Sequence, residues 1–337
     1  MSTRTLARRV VDALSNAPEC EHVLAYGSAV LRAASVTNTK SALDILCVVE
    51  NVQEWHATNV HRNPSHYASQ MRVIGSQGIV KVSRVVGCGT HYNARLFDAR
   101  GEPFKYGVAS VEDVVRDLER WEYLFVAGRM QKPHETMLTS AAVRDAQRVN
   151  VRNAANAALL TLPESFSELD FHRALVRLSY DGDVRFLFAA EDDKKVERIA
   201  SANGDAMRDM YADTVTELGD ALDASSSTWW QDKSPSALRA RLEALPVTVR
   251  AMMSAATRVR VGEGVESSKR WAAEMCAALS DDQERVGSTT RACLRQIVRT
   301  SSLRQAVAGL LGTSPTKTVA YVGAKFYKSA RSRFFSE

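Results

Sequence analysis

The sequence contains no C-x-x-C pair, and no apolar run approaches the ~20 residues that a membrane-spanning helix needs. Its five cysteines, Cys20, Cys47, Cys88, Cys276 and Cys293, are scattered and odd in number. They imply neither a zinc site nor a disulfide framework, and they read as thiols of a reducing compartment. Without a hydrophobic span, the chain reads as soluble or as lying on a membrane surface. A basic stripe interleaved with aromatics, the footprint of a nucleic-acid surface, is also missing. The formal net charge of +5 is modest; it hints at an anionic partner without choosing among nucleotide, lipid headgroup and nucleic acid.

What is present begins with length: 337 residues of ordinary apolar and charged content are enough for two globular domains. The most informative stretch runs from Val23 to Glu50. Val23, Leu24 and Ala25 lead into Tyr26, Gly27 and Ser28, and after a polar loop a second apolar run, Ala42 to Val49, carries one acid, Asp44. A Gly-Ser turn lets backbone N–H groups and a hydroxyl approach a phosphate closely. A carboxylate in an apolar strand is costly to bury unless a metal or a cation offsets it. Strand, turn and acidic strand thus describe a phosphate cradle facing a magnesium ligand. A tight turn followed by a strand with a solvent-facing acid satisfies the same residues.

Arg4, Arg8 and Arg9 accompany Leu6, Val10 and Leu14 at helical spacing near the amino end. This pattern suits either a short mitochondrial presequence or an amphipathic first helix of the fold. His56, His61 and His66 recur every five residues, which spreads them over a helix and fits no standard zinc pattern. Hydrogen-bonding or packing roles at a helix end remain, with a break at Asn63-Pro64. Arg95 to Asp98, Gly101 and Phe104 to Gly107 read as a hairpin. If it joins the sheet of the opening stretch, Lys105 reaches the cleft of Asp44 and neutralises phosphate charge; otherwise it is a solvent-facing strand lysine.

From Val111 the chain turns helical, with Glu112 and Asp113 in the first turn of a segment running to Trp121 and Leu124. Arg129 and Lys132 close that run, as helix C-terminal caps or as a second phosphate contact. Val143 to Leu160 is an alanine-rich helix, and Ser165 with Glu168 has capping-box spacing. Helices with polar linkers are expected from Lys195 to about Leu279, where Trp229, Trp230 and Trp271 read as packing residues. Ser301 to Gln305 reads as the start of a separate helix. Lys317, Lys325, Lys328, Arg331 and Arg333 then follow without an acid among them, with Val319, Val322, Phe326, Ala330 and Phe334 at helical spacing. A basic amphipathic helix of this type lies on an anionic membrane or docks on its own domain.

Several segments resemble one family in order along the chain. They are Tyr26-Gly27-Ser28, Leu43-Asp44, Trp55-His56 with Asn59, Asn63-Pro64 with His66-Tyr67, Lys105 to Val108, Ala127 to Arg129 with Gln131-Lys132-Pro133, Leu162 to Phe166, Leu178 to Tyr180 with Gly182-Asp183 and Arg185, and Val298-Arg299 with Ser301-Ser302 and Arg304-Gln305. The pattern is similar to the mitochondrial translocator assembly and maintenance family, the mitochondrial CDP-diacylglycerol synthases.

The resemblance implies an α+β chain. A nucleotidyltransferase-fold catalytic domain over 1–150 would be followed by a mostly helical, winged-helix-like domain over 151–300 and a basic amphipathic tail over 301–337. It implies transfer of a cytidylyl group from CTP to phosphatidic acid with Mg²⁺ or another divalent cation, at the matrix face of the mitochondrial inner membrane. The product, CDP-diacylglycerol, feeds cardiolipin synthesis. On this reading Asp44 and Lys105 are catalytic, and Tyr26, Gly27, Ser28, Lys132 and Arg185 bind nucleotide.

The wider superfamily places two acids as acid-x-acid on the second strand, whereas here position 42 is alanine. Asp44 is therefore one assigned metal ligand, to be completed from Asp183, Glu191 and Asp192, with Asp98 and Glu164 as further candidates. The single acid leaves open a non-catalytic membrane assembly or adaptor protein on a degenerate form of the fold. An enzyme of the same fold acting on nucleic acid is disfavoured, because the charge excess sits in the tail.

Overall fold

The computed structural model describes residues 3–31, 42–184, 194–260 and 265–312. The chain is α+β. Strands β1 (His22–Tyr26), β2 (Leu43–Val49), β3 (His91–Phe97), β4 (Pro103–Ser110) and β5 (Glu135–Leu138) form one mixed sheet in the order β3-β4-β2-β1-β5. Only the β2–β4 pair in this sheet is parallel; β1–β2, β1–β5 and β3–β4 are antiparallel. Central β2 is buried on both faces, which explains its nearly unbroken apolar sequence.

Each face of the sheet has its own cover. On one side α1 (Thr3–Ala13) seats Leu6, Val10 and Ala13 against Val23, Ala25, Ile45 and Cys47, joined by Trp55 of α2 (Val52–Arg62). The arginine-rich amino end thus forms an amphipathic helix of the fold. On the other side Leu24, Tyr26, Leu46 and Val48 meet α4 (Val111–Arg120), α5 (Val126–Met130) and α6 (Ala141–Thr161). Ala154, Ala155, Ala157 and Ala158 are fully buried in α6, and their small side chains let neighbouring helices approach closely.

Asn63-Pro64 ends α2, and α3 (Ser69–Val85) follows. The expected hairpin is present as β3 and β4. Asp98 closes its turn, accepting from the backbone N–H groups of Arg100 and Glu102 at 2.9 Å each.

Beyond α6 lie β6 (Ser165–Ser167), α7 (Glu168–Arg177), α8 (Lys195–Ala202), α9 (Gly204–Glu217), β7 (Leu222–Asp223) and β8 (Thr228–Gln231). Then come α10 (Pro235–Glu243), α11 (Val247–Thr257), α12 (Val265–Ala278) and α13 (Gln283–Leu311). Three expectations are corrected here. Thr228 to Gln231 is a strand within a β6-β8-β7 sheet, because Trp229 alternates inward onto Phe166 and Phe171 while Trp230 faces out. The capping box is Ser167 with Asp170, two residues later than read, because Ser165 and Phe166 are committed to β6. Ser301 lies inside α13, which runs unbroken through it, since no glycine or proline interrupts the chain there.

One apolar core runs from Leu24 on β1 to Val298 on α13. Helix α6 spans the 150/151 border and α13 spans the 300/301 border. Among the described residues, no helix is long and apolar enough to cross a membrane.

Candidate active site

The sheet's register places Tyr26 opposite Asp44, and Asp44 opposite Lys105. Residues in register share a face, so the three side chains form a row across β1, β2 and β4, on the side of the larger core. Lys105 Nζ lies 2.8 Å from Asp44 Oδ1. The Asp44 side chain is 13% exposed and the Lys105 side chain 41%, so the carboxylate lies inward and the ammonium toward solvent. The two form an ion pair. The strand lysine therefore faces the cleft of the acid. Opposite it, β3 carries a bulge at Ala94 and Arg95, with Arg95 at φ +60°.

Gly27 follows Tyr26 at φ +76° and turns the chain through a single 3₁₀ turn, Gly27–Ala29, in which Val30 and Leu31 N–H bond back to its carbonyl. A Cβ at this position would collide with Asp44 Oδ2, so glycine is required both by the dihedral and by the carboxylate beside it. Ser28, at the centre of the turn, is exposed.

Tyr26 links this row to a cationic bank. Its hydroxyl bonds the Tyr92 hydroxyl at 2.9 Å, and burial pushes its acidity well below that of a free phenol. The Arg129 guanidinium lies 3.6 Å from the Phe125 ring centroid and 5.6 Å from that of Tyr26. Arg129 donates to Phe125 O at 2.6 Å, while its Nε is buried without a partner. The loop that presents it is gathered by Asp117, whose carboxylate accepts from the N–H groups of Tyr123, Phe125, Val126 and Ala127 at 2.8 to 3.1 Å. Burial raises the Asp117 pKa, against the pull of those four donors.

Lys132 is buried. Its ammonium donates to Gly128 O and, at 2.7 Å, to Ser179 Oγ, and it stands 5.1 Å from the Tyr180 ring centroid. The Lys132 segment and the Leu178–Tyr180 segment thus meet in space, with Gly128 too close to Ser179 to admit a side chain. Asp183 is also buried, in the turn after α7, where its N–H bonds Tyr180 O at 3.1 Å. The neighbouring Gly182, at φ +94°, abuts the Arg295 carbonyl of α13. Arg185, Glu191 and Asp192 lie outside the described residues.

The structure therefore brings together Tyr26, Gly27, Asp44 and Lys105, sets Ser28 beside them, and places Lys132 and Asp183 around Ser179 and Tyr180. Among the described residues, no three His, Cys, Asp or Glu side chains group closely enough to hold a metal ion between them. Glu164 is exposed. The histidines pack as read: His56 Nδ1 bonds Tyr67 at 2.8 Å, His66 Nδ1 bonds Tyr106 at 3.0 Å, and Asn59 donates to both hydroxyls. His61 is exposed.

Sequence reasoning missed Tyr92 and Asp117. For Asp117 a signal existed, since it interrupts the otherwise apolar stripe of Val114, Leu118 and Trp121 at helical spacing.

A carboxylate fixed beside a bare turn, with lysine and arginine on the same side, is chemistry that handles phosphate esters. The comparisons make this particular. The family model described as mitochondrial phosphatidate cytidylyltransferase matches residues 8–328. A Bos taurus protein named mitochondrial phosphatidate cytidylyltransferase is 34% identical over 321 residues, covering 94% of this chain and 92% of the relative. Proteins of the same name from Xenopus laevis and Caenorhabditis elegans are 33% and 29% identical, covering 91% and 93% of this chain and 90% and 95% of their own. The chain belongs to the mitochondrial phosphatidate cytidylyltransferase family.

Proposed function

We propose that this chain transfers a cytidylyl group from CTP to phosphatidic acid, giving CDP-diacylglycerol and pyrophosphate for cardiolipin synthesis in mitochondria. The observation that carries the reading is the row Tyr26, Asp44, Lys105 with Gly27 closed over the carboxylate, in a chain of this family. With the glycine turn, the acid and the lysine all in place, the catalytic reading is preferred to that of an adaptor.

In this reading the nucleotide phosphates lie along Gly27 and Ser28, where no side chain blocks the backbone. An oxygen of the phosphatidate phosphate attacks the α-phosphorus, a new P–O bond forms, and the bond to the β-phosphate breaks with pyrophosphate as leaving group. Lys105, half in solvent, brings its ammonium to the phosphates as negative charge accumulates. Arg129 and Lys132 supply further positive potential from the adjoining bank. Positioning and charge neutralisation provide the rate, since phosphoryl transfer asks little covalent chemistry of the protein.

The residues suit a divalent cation of the Mg²⁺ type. Such an ion commonly takes one or two carboxylates and completes its shell with waters and substrate phosphates, and Asp44 turns its second oxygen, Oδ2, to the space that glycine leaves open at position 27. Asp44 would hold it, with Asp183, Glu191 or Asp192 as candidate second ligands; when bound it would neutralise the phosphates and polarise the α-phosphorus. We read residues 1–150 as a nucleotidyltransferase-fold unit, supported by the Gly-Ser turn and the acid on the next strand. The β6-β8-β7 sheet with its helices is read as the winged-helix-like unit. The basic segment from Lys317 to Arg333, outside the described residues, is read as the attachment to an anionic membrane, on the matrix side of the inner membrane.

The test is pyrophosphate release from CTP with dispersed phosphatidate and Mg²⁺, compared with ATP and with an oligonucleotide acceptor. CTP- and phosphatidate-dependent release, abolished by chelator, is expected; equal release with the oligonucleotide, or none with phosphatidate, refutes the assignment.

A further inference from the structure

Helix α13 has two sides beyond Ile297. One side docks: the Ser301 carbonyl accepts from Cys88 Sγ at 3.7 Å, Arg304 donates to Val85 O at 2.7 Å, and Gln305 donates to Gly87 O. The other side carries Leu303, Val307, Leu310 and Leu311, at i, i+4, i+7 and i+8, all exposed. At the helix end Gln70 Nε2 of α3 donates to Leu311 O at 2.7 Å. Val73 and Ile74 stand three and four residues beyond Gln70, on the same face of α3, with Val73 87% exposed. Two helices that meet at this contact thus both present exposed apolar side chains, those of α3 ending where it kinks at Gly75, φ +68°.

An open apolar strip of this kind marks an interaction surface. The two helices that bear it are basic. Helix α3 holds Arg72, Lys81 and Arg84 and no acid, and from Arg295 to Leu311 α13 carries Arg295, Arg299 and Arg304 and no acid. Apolar side chains on helices that are themselves basic match an anionic bilayer, with acyl chains against the strip and headgroup phosphates against the cations. A second copy docked strip to strip would set cation against cation.

We propose that Val73, Ile74, Leu303, Val307, Leu310 and Leu311 form the face by which the folded body of the protein rests in an anionic bilayer. This face is independent of the segment after Gly312. The inference rests on the reading of phosphatidic acid as substrate, to which it adds the surface that meets the substrate's own phase.

The test is co-sedimentation of the full chain with vesicles of equimolar phosphatidylcholine and phosphatidylserine, the latter not a substrate. Alongside it, CDP-diacylglycerol formation is measured from CTP and a short-chain phosphatidate dispersed without vesicles. The double variant Val73→Ser, Leu310→Ser is expected to bind vesicles about tenfold more weakly while keeping its turnover on the short-chain substrate. Leu310→Trp is expected to bind about threefold more tightly, since tryptophan favours the interface. Unchanged vesicle binding in both variants overturns the proposal. So does unchanged vesicle binding with a change of oligomeric state, which assigns the strip to a second copy, or tighter binding by the double variant, which assigns it to a covering segment of this chain. If wild type fails on the short-chain substrate while vesicle binding follows the variants, the enzymatic reading falls and the surface stands.

Discussion

Asp44 and Lys105 stand directly opposite each other on parallel strands, carboxylate oxygen and ammonium 2.8 Å apart. The contact explains how β2 tolerates an acid among Leu43, Ile45 and Leu46: the lysine supplies the countercharge that burial demands. Because Lys105 is half exposed and its long side chain is mobile, the same cation is available to a phosphate once a ligand enters.

Asp44→Asn keeps the shape of the side chain and removes its charge. Cytidylyl transfer is expected to fall by about 10³-fold or more, and Mn²⁺ binding in the presence of CTP, followed by electron paramagnetic resonance, should weaken with it. The thermal midpoint should move little, since an ion pair whose lysine is half exposed contributes ~1 kcal/mol or less. Normal turnover in this variant would remove Asp44 from the mechanism.

Gly27→Ala tests the turn. The left-handed conformation costs a non-glycine residue about 1–2 kcal/mol, and the new methyl group would drive against Asp44 Oδ2. Loss of activity should exceed the loss of stability read by urea denaturation if the displaced carboxylate serves as proposed. Equal, small losses in both would show that the turn only connects strands.

Asp117 touches no part of the Asp44 row, yet it fixes the loop that presents Arg129 through four N–H donors. Asp117→Asn turns an amide N–H₂ toward donors and should cost roughly 2–4 kcal/mol in urea denaturation. Hydrogen exchange should rise over Tyr123 to Ala127, whereas exchange on β2 should hold. Unaltered exchange in that loop would contradict the role assigned to Asp117.

Acid should destabilise the fold through buried histidines. Burial lowers the pKa of His22 and of His91 from 6.5 to about 4, and lowers that of His56 well below the usual histidine range. Below pH 6.5 the unfolded chain takes up protons that the folded chain refuses. The stability these groups confer is therefore complete above that pH and is lost as pH falls toward 4, at up to about 1.4 kcal/mol per pH unit for each group. Urea midpoints at pH 7.5 and pH 5 should differ in that direction, and His91→Asn should flatten the dependence. A midpoint independent of pH over this interval would refute it.

Strand, turn and acidic strand were legible because each follows a local rule: β-branched apolar runs, a glycine between them, and one charge out of place. The ordered family segments extended that reading to Lys132 and Asp183. What local rules could not supply was register. Asp44 faces Lys105 only because β2 pairs with β4 in parallel after a connection through α2, α3 and β3, and a shift of one residue would have turned the lysine to the other face. The capping box moved from Ser165 to Ser167 for a related reason, since strand pairing with Trp229 and Trp230 took precedence over a spacing that two sites shared.

The sequence by itself determined most of the elements, the position of the acid and the run of cations after Arg285, because periodicity and residue chemistry act over a few neighbours. Tertiary structure alone decided that Tyr26, Asp44 and Lys105 form one row, that Asp117 holds the Arg129 loop, and that α3 meets the end of α13 where Gln70 reaches the Leu311 carbonyl. Each of these is a contact between segments far apart in the chain, fixed by how whole elements pack and not by any residue's local preference.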